Sequence, residues 1–175
     1  MPNLFVHLHA HSHYSLLNAL PSPESLVLRA AEMGGMALAL TDTDAMYGVI
    51  PFYKAAKAKG IKPIIGLDVH IAPDGRHQKR ARIDKRAWRM VLLAENITGY
   101  KNLLKLSSLG FLEGFYYTAR IDDELLEKYH EGLIALSGGA GGEIPTLLSE
   151  GNGEKARTRA GYYSKLFGED NFFIE

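Results

Sequence analysis

The chain has 175 residues, of which 46% are hydrophobic and 23% are charged, as is typical of one soluble globular domain with a sizeable core. Its 20 Lys and Arg residues equal its 20 Asp and Glu residues, so no overall field points to nucleic acid or to an anionic membrane. The absence of cysteine excludes disulfides, thiolate ligands and a cysteine nucleophile. With no apolar run long enough for a membrane span and no secretion signal, we expect a cytoplasmic protein without membrane contacts.

The predicted elements alternate between short apolar strands and amphipathic helices. Alternating side chains predict the first strand at residues 4–9. A helix is predicted to follow Ser22, whose hydroxyl caps it, with Pro23 at its first position. Further strands are predicted at residues 36–40, 61–71, 90–94, 133–136 and 172–174. Further helices are predicted at residues 50–59, 99–109, 122–130, 143–150 and 154–167.

This alternation predicts an α/β fold with a parallel sheet and right-handed helical crossovers. The continuous apolar run at residues 90–94 is typical of a strand buried on both faces of such a sheet. The pattern stops at or just before a strand at residues 172–174. We therefore expect a barrel that is cut off before its last strands, as in a piece of a longer protein.

Imidazoles and carboxylates cluster at the predicted strand ends, where parallel α/β folds carry their functional residues. His9 and His11 are two positions apart, so both side chains could share one ion, although a polar strand end that hydrogen-bonds loops is an equal alternative. Asp42 and Asp44 precede a predicted helix, where aspartate more often caps the helix than binds a metal. Asp68 lies inside an apolar strand, and a buried carboxylate needs a partner.

A basic stretch lies between the third and fourth predicted strands. Its members are Arg76, Lys79, Arg80, Arg82, Lys85, Arg86 and Arg89. The turn signal Pro73-Asp74-Gly75 predicts an exposed hairpin or loop here. Phosphate contact is one interpretation, but a solvated loop is favoured because no aromatic residues interleave the charges. Trp88 is predicted to begin the next strand.

Short motifs spread along the chain match one family in order. They are His9-Ala10-His11-Ser12 with Tyr14-Ser15-Leu16-Leu17, then residues 37–42 with Met46-Tyr47-Gly48, residues 52–56, residues 60–66, residues 91–94, residues 99–103, residues 112–117 and residues 132–138. Over almost its whole length the sequence resembles the polymerase-and-histidinol-phosphatase (PHP) domain of bacterial DNA polymerase III alpha subunits. Stand-alone PHP phosphatases share only the ligand motifs, so the resemblance is specific to the polymerase version.

The resemblance implies a distorted (β/α)7 PHP barrel over residues 1–175, truncated before its end. It also implies a parent protein that is a DNA-directed DNA polymerase, a nucleotidyltransferase of DNA replication. The implied partners are the rest of the polymerase polypeptide, the proofreading exonuclease subunit of the replicase and, in the parent protein, DNA. The aspartates that transfer nucleotides in such polymerases do not lie in this chain.

Carried over to this sequence, the family's metal ligands survive at His9, His11 and Asp68, the last standing where glutamate is usual. Four other ligand positions are replaced. They are Asn18 for aspartate, Thr43 for histidine, Arg89 for histidine and Gly139 for cysteine. We therefore expect no cofactor, the alternative being a single weakly bound zinc or manganese ion. An inward-pointing Arg89 could pair with Asp68 and take the place of the cation.

Two functions compete at this stage. One is a largely non-catalytic module with an eroded metal site, which braces the polymerase and offers a docking surface. The alternative is an active metal-dependent phosphoesterase or 3′–5′ exonuclease of the PHP superfamily, which needs a metal-activated water beside a phosphate. The four replaced ligand positions favour the first.

Overall fold

The computed structural model describes residues 5–84 and 86–175, which form an α/β arrangement with a mixed sheet. Its strands are β1 (Ala37–Leu40), β2 (Lys62–Ile71), β3 (Trp88–Ala94), β4 (Arg120–Ile121), β5 (Leu133–Leu136) and β6 (Phe172–Phe173). Its helices are α1 (Pro23–Glu32), α2 (Val49–Ala58), α3 (Ile97–Leu112), α4 (Asp123–Tyr129), α5 (Glu143–Ser149) and α6 (Gly153–Phe167). A short 3₁₀ turn, Gly139–Gly141, lies between β5 and α5. No helix in these two ranges combines the length and apolar character needed to cross a bilayer.

Helix α1 begins and ends as its sequence predicts. The Ser22 hydroxyl accepts a hydrogen bond from the backbone N–H of Ser25, and Pro23 takes the first helical position. After the C-cap, Gly34 adopts a left-handed φ of 73°, a conformation that costs glycine little. Local chemistry therefore defines both ends of the helix. Its apolar side packs onto α2.

The strand order is β1-β2-β3-β5-β6, with β4 pairing the end of β2. The prediction of a parallel sheet is correct for β1 with β2 and for β5 with β6, but wrong for β3, which runs antiparallel to both neighbours. The described residues between β2 and β3, 72–84 and 86–87, contain no helix to carry the chain across the sheet, so the chain doubles back as a hairpin. Its register places Arg89 opposite His70.

The predicted first strand is wrong for the residues that the structure describes. Leu4 lies outside them, and residues 5–10 form no strand. Two backbone hydrogen bonds still hold this segment beside β1, because the N–H of Ala39 donates to the carbonyl of His7 at 2.9 Å and that of Thr41 to Ala10 at 2.8 Å. These two bonds are enough to place His9 at the carboxyl end of β1.

The main core lies between one face of the sheet and helices α3 to α6. Leu67 and Val69 of β2 pack there against Leu103 and Leu106 of α3. Because side chains alternate along a strand, Asp68 points to the opposite face. That face carries a smaller apolar cluster, formed by Ala39, Val91, Leu93 and Leu136. The buried carboxylate of Asp68 is thereby held away from the helices, at the rim of the sheet.

One buried arginine holds the β2–β3 hairpin. Arg120, on β4, is 1% exposed, and its guanidinium donates to the backbone carbonyls of Gly114, Asp84, Arg76 and Gln78 at 2.8–3.2 Å. Burial lowers the pKa of Arg120, and nearby Asp84 only partly offsets this effect. The sequence did not single out this residue, yet it connects the hairpin to β4 and to the end of α3.

The basic stretch does lie on a hairpin, as predicted, and Arg76, Arg80 and Arg86 meet carboxylates of the chain itself. Arg76 contacts Asp122, Glu113 and Glu124. Arg80 contacts Asp84 and Asp74, and Arg86 contacts Glu150. Lys85 lies outside the described residues. Guanidinium groups that are engaged in this way argue against phosphate contact, but the prediction of a solvated loop is wrong for Arg76, which is buried.

Candidate functional site

Three predicted ligands converge at the sheet rim. The Nε2 atoms of His9 and His11 lie 3.2 and 3.0 Å from the same carboxylate oxygen, Oδ2 of Asp68. One potential ligand atom from each of the three side chains falls within 4.8 Å of the other two. Two imidazoles and a carboxylate at this spacing are a donor set that could hold a transition metal or zinc.

Arg89 enters the same group. Its Nε donates to Asp68 Oδ1 at 2.9 Å, and its Nη2 contacts Asp68 Oδ2, so the guanidinium meets both oxygens as a planar fork. Asp68 has no exposed surface. Burial lowers the pKa of Arg89, and nearby Asp44 only partly offsets this effect. A guanidinium nevertheless keeps its charge at neutral pH. The inward position of Arg89 expected from the sequence is confirmed.

The glycine-rich turn after β5 makes room for Arg89. A Cβ atom on Gly138 would lie 2.2 Å from the carbonyl oxygen of Arg89, and one on Gly141 would lie 2.9 Å from its Cγ. Gly138 also has a positive φ of 81°, which side-chain-bearing residues rarely adopt. The shape of this turn and the path of the arginine therefore depend on each other.

Asp42 is buried beside the group but faces its own partners. Its carboxylate accepts hydrogen bonds from the Ser12 N–H at 2.6 Å, the Ser12 hydroxyl at 2.7 Å and the Ser15 hydroxyl at 2.7 Å. The interpretation of Asp42 as a helix cap is wrong, because α2 begins after Gly48, without a side-chain cap. Asp42 instead ties the loop that follows His11 to the end of β1.

Asp44 and His70 form a pair that sequence reasoning missed. The Asp44 carboxylate accepts from the backbone N–H of His70 at 3.2 Å and lies 2.8 Å from its Nδ1, so Asp44 is not a helix cap either. Asp44 has a left-handed φ of 58°, and its carbonyl accepts from the Ser107 hydroxyl. The position of His70 two residues after Asp68 was the available signal, because i and i+2 share a face of a strand.

His9 also contacts Glu175, which lies two residues after β6. Its Nδ1 lies 2.8 Å from Glu175 Oε1, so both ring nitrogens face carboxylates. The backbone N–H of Glu175 in turn donates to the Ser137 hydroxyl at 3.0 Å. Beside this contact lies an open, mainly apolar cleft of about 830 Å³, whose lining includes Phe5, Leu93 and Phe173. No sequence signal pointed to Glu175, because it is far from His9 along the chain.

Comparison with known proteins places this geometry in a family. Residues 7–175, nearly the whole chain, match the family described as "PHP domain". The chain belongs to the PHP domain family. The α/β fold class and the family resemblance expected from the sequence are therefore confirmed.

The PHP domain is similar to DNA polymerase III alpha subunits. It is 47% identical over 172 residues to that of Treponema pallidum, 44% over 172 residues to that of Borreliella burgdorferi and 42% over 182 residues to that of Deinococcus radiodurans. These alignments cover 98–99% of the PHP domain but only 14–15% of each relative. Among solved structures, an amidohydrolase from Chromobacterium violaceum matches 59% of the PHP domain and 31% of its own chain. Its TM-score is 0.41 at 23% identity, too low to support a conclusion about function.

The four positions that the resemblance gives as replaced ligands have different surroundings in this PHP domain. Asn18 is exposed on the loop after Ser15, and Gly139 begins the 3₁₀ turn. The Thr43 hydroxyl is buried and, among the described residues, has no hydrogen-bond partner. Of these four residues, only Arg89 contacts the Asp68 carboxylate. The assignment of His9, His11 and Asp68 as metal ligands stays a prediction.

His11 is expected to make the stability of the metal-free PHP domain depend on pH. Burial, with help from nearby His9 and Arg89, lowers the pKa of His11 to about 4, whereas Asp42 raises it. Between its ordinary pKa of 6.5 and the lowered value, the unfolded chain binds a proton that the folded chain does not. We expect the free energy of unfolding to fall by about 2 kcal/mol as the pH drops from roughly 6.5 to 4.5.

Urea denaturation of metal-free protein at several pH values would measure this dependence. The variant His11→Gln should lose most of the slope in that interval, and His77→Gln, at an exposed histidine, should keep it. An unchanged slope in His11→Gln would contradict the assignment to His11.

Proposed function

We propose that this chain is the PHP domain of a replicative DNA polymerase III alpha subunit and acts there as a largely non-catalytic structural and docking module. The parent protein would be a DNA-directed DNA polymerase, a nucleotidyltransferase working in the cytoplasm. Support for this membership is the similarity of 42–47% over nearly the whole chain to three alpha subunits. The membership predicts that the gene encodes a polymerase core beyond this domain.

The observation that carries the non-catalytic role is the engagement of Asp68 by Arg89. A metal-dependent phosphoesterase needs carboxylates that are free to bind ions. Here Asp68 is held by a guanidinium, Asp42 by two serines and Asp44 by His70. The residues present therefore do not fit the family's multi-metal centre, and the site is an eroded one.

The partners follow from the same assignment. The rest of the polymerase polypeptide is the first partner, because the alpha subunits extend far beyond the matched region. The proofreading exonuclease subunit is a docking partner that the resemblance suggests, and DNA is bound by the parent protein. The paired arginines of the β2–β3 hairpin give no support to a separate DNA site in this domain.

A hydrolysis assay tests the non-catalytic role. The purified chain, and the alpha subunit that contains it, would be incubated with bis-p-nitrophenyl phosphate and with a 3′-labelled oligonucleotide in the presence of Mg²⁺, Mn²⁺ or Zn²⁺. We expect no turnover above that of the matched double variant His9→Ala/His11→Ala.

Hydrolysis that chelator stops and that the double variant lacks would establish the alternative, an active metal-dependent phosphoesterase or 3′–5′ exonuclease. Background contamination would persist in the double variant, so the two sources of activity are distinguishable.

A further inference from the structure

We propose that the Arg89 guanidinium is the resident cation of this site, and that it conceals a single-ion metal site which its removal uncovers. The inference rests on the proposed function, since it explains how the site is filled in a domain that has lost its metal chemistry. It goes beyond that function, because it attributes the loss of metal binding to one side chain, Arg89, which can be replaced by substitution.

The contacts around Asp68 are those of an anion surrounded by donors. Arg89 meets both carboxylate oxygens, and the Nε2 atoms of His9 and His11 both approach Oδ2. An imidazole nitrogen that donates to a carboxylate carries a proton there and has no lone pair to offer an ion. Metal binding would require the opposite arrangement, with both lone pairs and the carboxylate directed at one point.

Removal of the guanidinium would reverse this arrangement. Asp68 is fully buried and would lack its main counter-charge, which favours capture of another cation. The three remaining side chains already have ligand atoms within 4.8 Å of one another, so no backbone movement is needed to bring them together. Neutral His11 would need only to carry its proton on Nδ1 instead of Nε2, which frees the Nε2 lone pair.

The uncovered site would hold one ion and not two. A second ion needs further carboxylates, and the neighbouring ones are committed. Asp42 accepts three hydrogen bonds from Ser12 and Ser15, and Asp44 pairs with His70. The substitution at residue 89 frees neither of them, so a stoichiometry of one ion per chain is expected.

The glycine-rich turn after β5 determines where the Arg89 side chain can run. Arg89 runs along Gly141, where a Cβ would lie 2.9 Å from the Arg89 Cγ, and it pairs with Gly142 as an isolated bridge. A side chain at position 141 would displace the arginine stem. The path of the guanidinium therefore depends on glycine at position 141, whereas a Cβ on Gly139 would lie 3.9 Å from a carboxylate oxygen of Glu175.

Metal titration tests the inference. Wild-type chain and the variants Arg89→His, Arg89→Gln and Arg89→Lys would be stripped with chelator and titrated with Co²⁺, with visible absorption and elemental analysis as readouts. We expect Arg89→His to bind one Co²⁺ per chain at least about 100-fold more tightly than wild type. Arg89→Gln should bind with intermediate affinity, and Arg89→Lys, which keeps the charge, should bind as weakly as wild type.

One further variant and one fallback comparison keep the result interpretable. Adding His9→Ala/His11→Ala to Arg89→His should abolish the cobalt spectrum, which assigns the ion to this site. If Arg89→His does not fold, as judged by circular dichroism, Arg89→Gln replaces it in the comparison, because its amide is neutral and keeps hydrogen-bond donors.

Wild-type chain that binds one ion as tightly as the folded Arg89→His or Arg89→Gln variant would overturn the inference, and so would folded neutral variants that bind none. These outcomes are separate from the hydrolysis assay. Tight metal binding by wild type without hydrolysis defeats the inference alone, whereas chelator-sensitive hydrolysis defeats the proposed function.

Discussion

Replacing Arg120 with methionine is expected to lower the free energy of unfolding by about 4 kcal/mol, since several buried acceptors lose their donor at once. The guanidinium serves four backbone carbonyls and is almost inaccessible to water. Methionine preserves the apolar stem but donates no hydrogen bond. Chemical denaturation followed by circular dichroism measures the difference, and proteolysis should cut the 76–84 segment faster.

The matched control is Arg157→Met, at an exposed arginine of α6, which should change the stability by less than about 0.5 kcal/mol. Arg120→Lys should recover only part of the loss, because an ammonium group lacks the planar fork that spans several carbonyls. Equal stabilities of Arg120→Met and Arg157→Met would show that Arg120 does not organise the hairpin.

Replacing Arg89 with alanine is expected to destabilise the metal-free domain by about 3 kcal/mol, because the buried Asp68 carboxylate loses its charged partner. His9 and His11 remain near Oδ2, which keeps the loss below that of a carboxylate left with no partner. Denaturant titration at pH 7.5 measures the effect, again with Arg157→Met as the surface control.

A double-mutant cycle separates the ion pair from simple loss of packing. If Arg89 acts through Asp68, adding Asp68→Asn to Arg89→Ala should restore part of the stability, since a neutral amide needs no counter-charge. Additive losses in the double variant would mean that Arg89 stabilises the fold by packing against the glycine-rich turn instead.

Most elements were predictable because their signals are local. The apolar run at residues 133–136 is β5 with the same bounds, and the capped start of α1 follows from Ser22 and Pro23. Boundaries elsewhere moved by a few residues, as at α3, which begins at Ile97 under an Asn96 cap. β4 was missed because two residues, Arg120 and Ile121, are too few to show periodicity.

Strand direction was not predictable in the same way. A buried apolar strand has the same composition in either orientation, so residues 90–94 carried no sign that β3 runs antiparallel. The useful evidence lay in the connection, since residues 72–87 have turn signals and no helical pattern. The segment around His9 alternates like a strand, but among the described residues only two backbone hydrogen bonds join it to residues 39–41, which is too few for a ladder.

The part of the site around Asp68 was predictable, because a buried carboxylate needs a cationic partner. The two-residue spacing of His9 and His11 and the need of a buried Asp68 for a cation led to the observed cluster and to the partner Arg89. The contacts of Asp44 with His70 and of His9 with Glu175 depend on how distant segments meet, and no local pattern encodes such a meeting.

The chain separations within the site imply an order of assembly during synthesis. Arg89 follows Asp68 by 21 residues, whereas Glu175 follows His9 by 166 residues. At ribosomal speeds those 166 residues take on the order of 10–30 s to synthesise, while Arg89 emerges within a few seconds of Asp68. The ion pair between Arg89 and Asp68 can therefore form as soon as the hairpin closes. The contact between His9 and Glu175 can form only after residue 175 has been synthesised.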